Sequence, residues 1–255
     1  MNSEVATDAS SKAPLISLRS ARCGYRDIAV VRSVDLAVHA GEVIALLGPN
    51  GAGKSTTLAT IAGLLPLIGG ELTVLGVVAT IPKRGFAAAG TQALSARRRG
   101  LAYVPEDRAL FFGLTAREHL RLAAKKHDTE AIDLALEPFP ALRAIIDRKA
   151  GSMSGGEQQM LAVARALAAR PVALMIDELS LGLAPIVVER LLPMVRDVCD
   201  RTGIGVLLVE QHVNAALAIA DRAAVMVRGE ITLSGSAESL RRDPQALANA
   251  YLGNV

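Results

Sequence analysis

The sequence predicts an α/β fold: a largely parallel sheet flanked by helices, with early strands and mid-chain helices attached to it. Three observations carry that expectation. Apolar runs of strand length alternate with helical patterns through the second half of the chain. The chain is 51% hydrophobic but only 3% aromatic and has no Trp, so its core is built from Ala, Val, Leu and Ile, the composition of strands buried on both faces. One apolar run leads through a glycine-rich segment, Gly48-Pro49-Asn50-Gly51-Ala52-Gly53-Lys54-Ser55-Thr56, into a helical pattern. At 255 residues the chain holds one large domain, or a domain with a subdomain.

The first 12 residues are polar, carry Glu4 and Asp8, and read as a disordered tail rather than a secretory signal; the folded domain is expected over residues 13–255. Residues 15–18, 34–38 and 43–47 read as strands, with turn signals at Cys23-Gly24 and His39-Ala40-Gly41. Residues 57–65 read as a helix stopped by Pro66. The Ser-rich and basic stretch 80–100 reads as a loop with some helix. Its Arg97-Arg98-Arg99 cluster suits phosphates, lipid headgroups or a solvated surface. After a strand at 101–104 the pattern is helical from Thr115 to about Arg170, with Leu120, Leu122, Ala123, Ile132, Leu134 and Leu136 in period and Pro138 and Pro140 as breakers. A long helix is expected just after Ser154-Gly155-Gly156, burying Leu161, Val163, Ala164 and Leu167. Strand 172–176, helix 185–199, strand 205–209 and helix 214–220 follow, and Pro193 should kink or divide its helix. A hairpin, 223–227 and 231–233 around Arg228-Gly229-Glu230, precedes a short closing helix. No apolar run reaches the roughly 20 residues of a membrane span. Two lone cysteines, Cys23 and Cys199, give no disulfide framework and fit a reducing cytoplasm. A formal charge of +3 asks for no nucleic acid.

The glycine-rich segment fits the phosphate-loop pattern G-x-x-x-x-G-K-[ST] without mismatch, between the strand and the helix that the pattern requires. Glycines let successive N–H groups point inward, and a helix N-terminus adds partial positive charge, so the segment cradles a polyphosphate. Gly48, Asn50, Gly51, Ala52, Gly53, Lys54, Ser55 and Thr56 are therefore expected to bind a nucleoside triphosphate. Lys54 would reach the β- and γ-phosphates and the Ser55 hydroxyl would ligate Mg²⁺. Downstream, Leu174-Met175-Ile176-Asp177-Glu178 is an apolar run ending in two carboxylates. Asp177 suits Mg²⁺, directly or through water, and Glu178 suits polarising the attacking water. Taken alone, such a pair is as compatible with a helix start.

With Ser152-Met153-Ser154-Gly155-Gly156-Glu157-Gln158-Gln159, the sequence resembles the ATP-binding cassette (ABC) family. In that family the signature loop of one subunit caps ATP held by the other. Ser154-Gly155-Gly156 match the signature core, whereas Met153 and Glu157 stand where Leu and Gln are usual. The resemblance spans Tyr25 to His212 and implies a RecA-like P-loop NTPase core, an N-terminal antiparallel β subdomain and a helical signature subdomain at about 107–165. It implies that Tyr25 stacks on adenine and that Glu106 takes the Q-loop position, a Mg²⁺ and γ-phosphate sensor normally Gln. Ser180-Leu181-Gly182-Leu183-Ala184-Pro185 matches the D-loop region without its usual Asp. By register Gln211 takes the position of the switch His, and His212 serves there only if the loop shifts by one residue. These departures, with the terminal Ala250-Tyr251-Leu252-Gly253, resemble the second ATPase subunit of branched-chain amino acid importers. Leu179, where Pro follows the catalytic Glu, departs even from that subgroup.

The resemblance implies an ATPase that uses ATP and Mg²⁺ and works as a head-to-tail dimer with a paralogue or itself. It would sit peripherally on the cytoplasmic face of the plasma membrane, bound to integral membrane permease subunits and indirectly served by a binding protein. Phe111-Phe112 are candidates for the permease contact or for the core. A soluble ABC ATPase acting on nucleic acid or ribosomes is the rival reading, but it would require a second cassette or a coiled-coil insertion. A phosphate-loop kinase would leave Ser-Gly-Gly unexplained.

Overall fold

The computed structural model describes residues 13–25, 28–79, 87–126 and 128–252; the expected tail, 1–12, and part of the stretch from 80 lie outside them. The chain opens with β1 (Ile16–Tyr25) and β2 (Ile28–Val38), an antiparallel pair. Cys23-Gly24 does not turn. Gly24 lies opposite Ala29 inside the ladder, and a Cβ there would come within 2.0 Å of the Ile28 carbonyl oxygen. Glycine permits the close approach of two strands, a need that looks in sequence like a turn. After the turn at residues 40–41 comes β3 (Val43–Leu47), and then α1 (Lys54–Ile61). This helix starts earlier than expected because Gly53, left-handed at φ 107°, caps it directly, and Gly63, at φ 74°, ends the turn before Pro66 acts.

Next come β4 (Leu67–Val74) and β5 (Val77–Val78), absent from the sequence-based expectation. Gly69-Gly70 disguise β4: Gly70 has φ 75°, and a Cβ there would lie 2.2 Å from the Ser20 carbonyl oxygen, beside an irregularity in the β1 ladder. Helix α2 (Ala87–Arg98) and β6 (Leu101–Val104) lead to a helical group: α3 (Ala116–Ala123), α4 (Thr129–Leu136), α5 (Pro140–Ala144), a 3₁₀ turn (Ala150–Ser152) and α6 (Gly155–Ala168). Helices α3, α4 and α5 all pack on α6. Pro140 starts α5 rather than breaking a helix, since the first helical position needs no N–H donor.

The chain continues through β7 (Ala173–Asp177), α7 (Pro185–Thr202), β8 (Gly205–Glu210), α8 (Val213–Ile219), β9 (Arg222–Val227), β10 (Glu230–Ser236), α9 (Ala237–Arg242) and α10 (Pro244–Leu252). Helix α7 is not divided: it runs through Pro193, whose exposed ring lies on the solvent face. The last hairpin turns on two residues, Arg228 and Gly229, both at positive φ, while Glu230 already pairs with Val227.

The strands form one ten-stranded sheet in the order β5-β4-β1-β2-β10-β9-β3-β8-β7-β6. Strands β9, β3, β8, β7 and β6 pair in parallel, and β5, β4, β1 and β2 form the antiparallel arm. Alternation splits each central strand between two cores. In β3, Val43, Ala45 and Leu47 face the helical side, and Ile44 and Leu46 face α1 and the arm. The α/β class, the antiparallel arm and the attached helices are those the sequence predicts. Among the described residues no helix is long and apolar enough to cross a membrane.

Candidate active site

The carboxyl ends of β3, β7 and β8 meet at the phosphate loop, the usual location of a ligand in an open α/β sheet. Two elements press on the loop. At Gly48 (φ 149°) a Cβ would lie 2.1 Å from the Met226 carbonyl oxygen of β9, and at Gly53 (φ 107°) it would lie 3.0 Å from the Val31 side chain of β2. Only glycine meets both the spatial and the dihedral demand. Ala52 is buried and anchors the loop through its carbonyl, which accepts the Gly229 N–H at 2.9 Å. Asn50, Gly51, Gly53, Lys54, Ser55 and Thr56 line a cavity of about 330 Å³, together with Glu106, Glu178 and Gln211. Tyr25, half exposed at the end of β1, is not among its lining residues.

Lys54 is 4% exposed and its ammonium donates to the carbonyls of Gly48 (2.9 Å) and Pro49 (3.0 Å). Its Nζ also lies 3.7 Å from Glu178 Oε1. The cation is thus held at the mouth of the loop by its own backbone, with a carboxylate opposite. Glu178 has φ 49°, a conformation that costs a non-glycine residue on the order of 1–3 kcal/mol and persists only where its surroundings fix it. Here its N–H donates to Val209 O at 3.0 Å, and Gln211 Nε2 donates to its Oε2 at 2.7 Å. Leu179, the departure that follows, is buried in the helical-side core and anchors the turn by packing.

Asp177 is 2% exposed, and burial pushes its carboxyl above the usual range; a hydrogen bond from Ser55 opposes that shift, and the Glu178 charge adds to it. Its Oδ2 accepts the Tyr103 hydroxyl at 3.3 Å, while Oδ1 is buried without a hydrogen-bond partner. A free carboxylate oxygen beside a serine hydroxyl fits Mg²⁺, which takes few protein ligands and fills its octahedron with phosphate oxygens and water. Glu106 lines the same cavity from the loop after β6.

Ser154, Gly155 and Gly156 are not among the residues lining this cavity. Ser154 is exposed and caps α6 in a reciprocal box: Glu157 N–H donates to Ser154 Oγ at 3.3 Å, and Ser154 N–H to Glu157 Oε2 at 2.7 Å. The bond from the Ser154 N–H, more than the nearby Arg148, holds the Glu157 carboxyl below its ordinary range. Cβ atoms on Gly155 and Gly156 would meet Leu183 at 3.3 Å and Val187 at 2.8 Å, so the signature turn sits on the segment that follows Glu178.

Gln211 lines the phosphate cavity and holds Glu178, whereas His212, exposed just before α8, makes no side-chain capping bond and lines only an adjoining cavity of about 90 Å³ that Gln211 and Glu178 also line. Gln211→Ala is expected to lower ATP turnover about fivefold, the value of one hydrogen bond near 1 kcal/mol. His212→Ala should leave turnover near wild type. A collapse in His212→Ala alone, measured in the assembled complex, would make His212 the switch residue instead.

Three contributors escaped the sequence reading. Tyr103 donates to Asp177. Tyr251, from α10, lies near Gly48 of the phosphate loop; burial pushes its phenol up to about 12, and its hydroxyl is buried without a hydrogen-bond partner. Glu210, fully buried at the end of β8, accepts from Ser180.

The family model described as ABC transporter matches residues 31–180. The high-affinity branched-chain amino acid transport ATP-binding protein BraG of Pseudomonas aeruginosa is 38% identical over 233 residues, covering 90% of this chain and 95% of that protein. The probable branched-chain amino acid transport ATP-binding protein LivF of Archaeoglobus fulgidus is 36% identical over 222 residues, covering 85% and 90%. Among solved structures, an ATP-binding subunit of an ABC transporter aligns with a TM-score of 0.76 at 28% identity, covering 94% of this chain and 99% of its own.

Proposed function

The chain belongs to the ABC transporter family, and from that premise we propose that it is the ATP-hydrolysing subunit of an importer for branched-chain amino acids or related small solutes. It binds ATP and is an ATPase coupled to transport. In this reading Ser55 and Asp177 would hold Mg²⁺, with Glu106 at the rim, and the bound ion would supply charge compensation for the triphosphate. Lys54 binds the γ-phosphate, Glu178 orients the attacking water and takes its proton, and Gln211 fixes Glu178. Tyr25 stacks on the adenine.

One observation supports a two-subunit site above the others: the Ser154-Gly155-Gly156 turn, at the N-terminus of a 14-residue helix and exposed at Ser154, does not line the chain's own phosphate cavity. A helix N-terminus that lies outside the chain's own phosphate cavity suits the ATP of a second subunit, self or paralogue, joined head to tail. Permease subunits would dock at the neighbouring face, where exposed Phe111 lines a groove with Leu122, Arg97 and Arg165. The protein would then lie peripherally on the cytoplasmic side of the membrane, with residues about 107–165 as its helical subdomain.

Sizing chromatography in Mg-ATP tests the dimer. Glu178→Gln should elute as a dimer, alone or with its paralogue, and Glu178→Gln/Ser154→Arg as a monomer, because the arginine puts bulk and charge in the interface. A monomer in both, with the paralogue present, contradicts the reading. Co-purification with two integral membrane proteins, and ATPase activity raised by a leucine-loaded binding protein, test the transport assignment. A response to a different solute class would replace it.

A further inference from the structure

We infer that Glu210 is a positioning residue of the hydrolytic reaction, tying the Ser180 loop to the Gln211 switch and so setting the carboxylate of Glu178. Glu210 closes β8, opposite Leu47 at the mouth of the phosphate loop, and has no exposed surface. Its Oε1 accepts the Ser180 N–H at 3.0 Å. Its Oε2 accepts both the Ser180 hydroxyl, at 2.5 Å, and the Gln211 N–H, at 3.3 Å. A single oxygen therefore joins the loop two residues after Glu178 to the backbone of the residue whose side chain holds Glu178.

Burial without a strong cation is costly for a carboxylate. Among the described residues no Lys or Arg forms an ion pair with Glu210. Burial accordingly pushes its acid up, and the donors from Ser180 and Gln211 pull it down. An apolar side chain would fill the same space without that cost, so the contribution of Glu210 is geometric. It provides acceptors for three donors that belong to two loops. Through them, Glu178 at φ 49° is braced on its C-terminal side by Ser180 and across the cavity by Gln211. The Ser180 loop also contacts the signature turn through Leu183. A displacement there on subunit closure would reach Glu178 through the Glu210 carboxylate.

The inference rests on the assignment of Glu178 as the residue that orients water. Its test measures kcat and ATP affinity in the assembled complex for Ser180→Ala, Glu210→Gln, the double variant and Glu178→Gln. Ser180→Ala removes one of the three donors and should lower kcat about fivefold. Glu210→Gln, which turns an amide donor toward the remaining donors, should lower it about tenfold or more. ATP affinity should stay within about twofold in both, and the double variant should be no worse than Glu210→Gln, as expected for residues acting as one unit. The Ser180→Ala arm stands by itself if Glu210→Gln does not fold. Unchanged kcat in the folded variants, losses that multiply in the double variant, or affinity falling in step with kcat would each overturn the inference while Glu178→Gln stays inactive. Turnover surviving in Glu178→Gln would overturn the catalytic reading and this inference with it.

Discussion

Glu178→Gln is expected to lose ATP turnover by about 100- to 10,000-fold, the range for removal of a general base, while ATP affinity stays near wild type. The substitution keeps shape and volume but removes the charge that attracts a proton from water. Binding is carried by other groups: the loop N–H groups, Lys54 and Ser55 line the same cavity independently of Glu178. The variant also relieves Lys54 of its neighbouring carboxylate, 3.7 Å away, which favours the γ-phosphate as the next partner of the ammonium and so lengthens the life of the ATP-bound state. Single-turnover hydrolysis together with equilibrium binding of a fluorescent ATP analogue checks both halves. A variant that still hydrolyses ATP at more than about a tenth of the wild-type rate would remove Glu178 from the role of base.

Lys54→Ala should fail at an earlier stage. Its ammonium is the only Lys or Arg group among the described residues that line the phosphate cavity. Removing it takes a fixed cation away from the transferring phosphoryl group, a loss of about 100- to 1,000-fold for one preorganised donor. The carbonyls of Gly48 and Pro49 lose their common partner as well, so the loop is expected to bind nucleotide weakly as well as to hydrolyse it slowly. That loss of affinity separates this variant from Glu178→Gln. Near-wild-type turnover by Lys54→Ala protein free of contaminating ATPase would contradict the phosphate-loop assignment.

The parts of the molecule legible in sequence are those whose chemistry is local. The phosphate loop, Asp177-Glu178 and Ser154-Gly155-Gly156 each carry their meaning within a few residues, and the central strands show uninterrupted apolar runs because they are buried on both faces. Strand β4 was illegible because its glycines answer to residues of another strand, Gly69 to Arg22 and Gly70 to Ser20. The bracing of Glu178 was illegible for a related reason. Ser180 and Glu210 are 30 positions apart and meet only because β7 and β8 are neighbours in the sheet. Gln211 shows the boundary between the two cases: register placed it near the phosphate, but its bond to Glu178 emerges only from the fold.

The tyrosines give this protein an optical reporter of its own. The chain has three, and no tryptophan to mask their emission. Tyr103 is hydrogen-bonded to the carboxylate of Asp177. Tyr251 lies against the Gly48 backbone, and Tyr25 ends the strand whose hairpin partner touches Gly53 through Val31. Two of the phenols, those of Tyr103 and Tyr251, are therefore set beside the nucleotide site, and Tyr25, which does not line its cavity, reports on the exposed end of β1. Carboxylates that accept a phenolic proton quench tyrosine emission, so a cation drawn to Asp177 should brighten Tyr103. Unlabelled protein titrated with Mg-ATP thus carries its own fluorescence signal for occupancy, and Tyr103→Phe identifies the part of that signal that comes from the Asp177 contact.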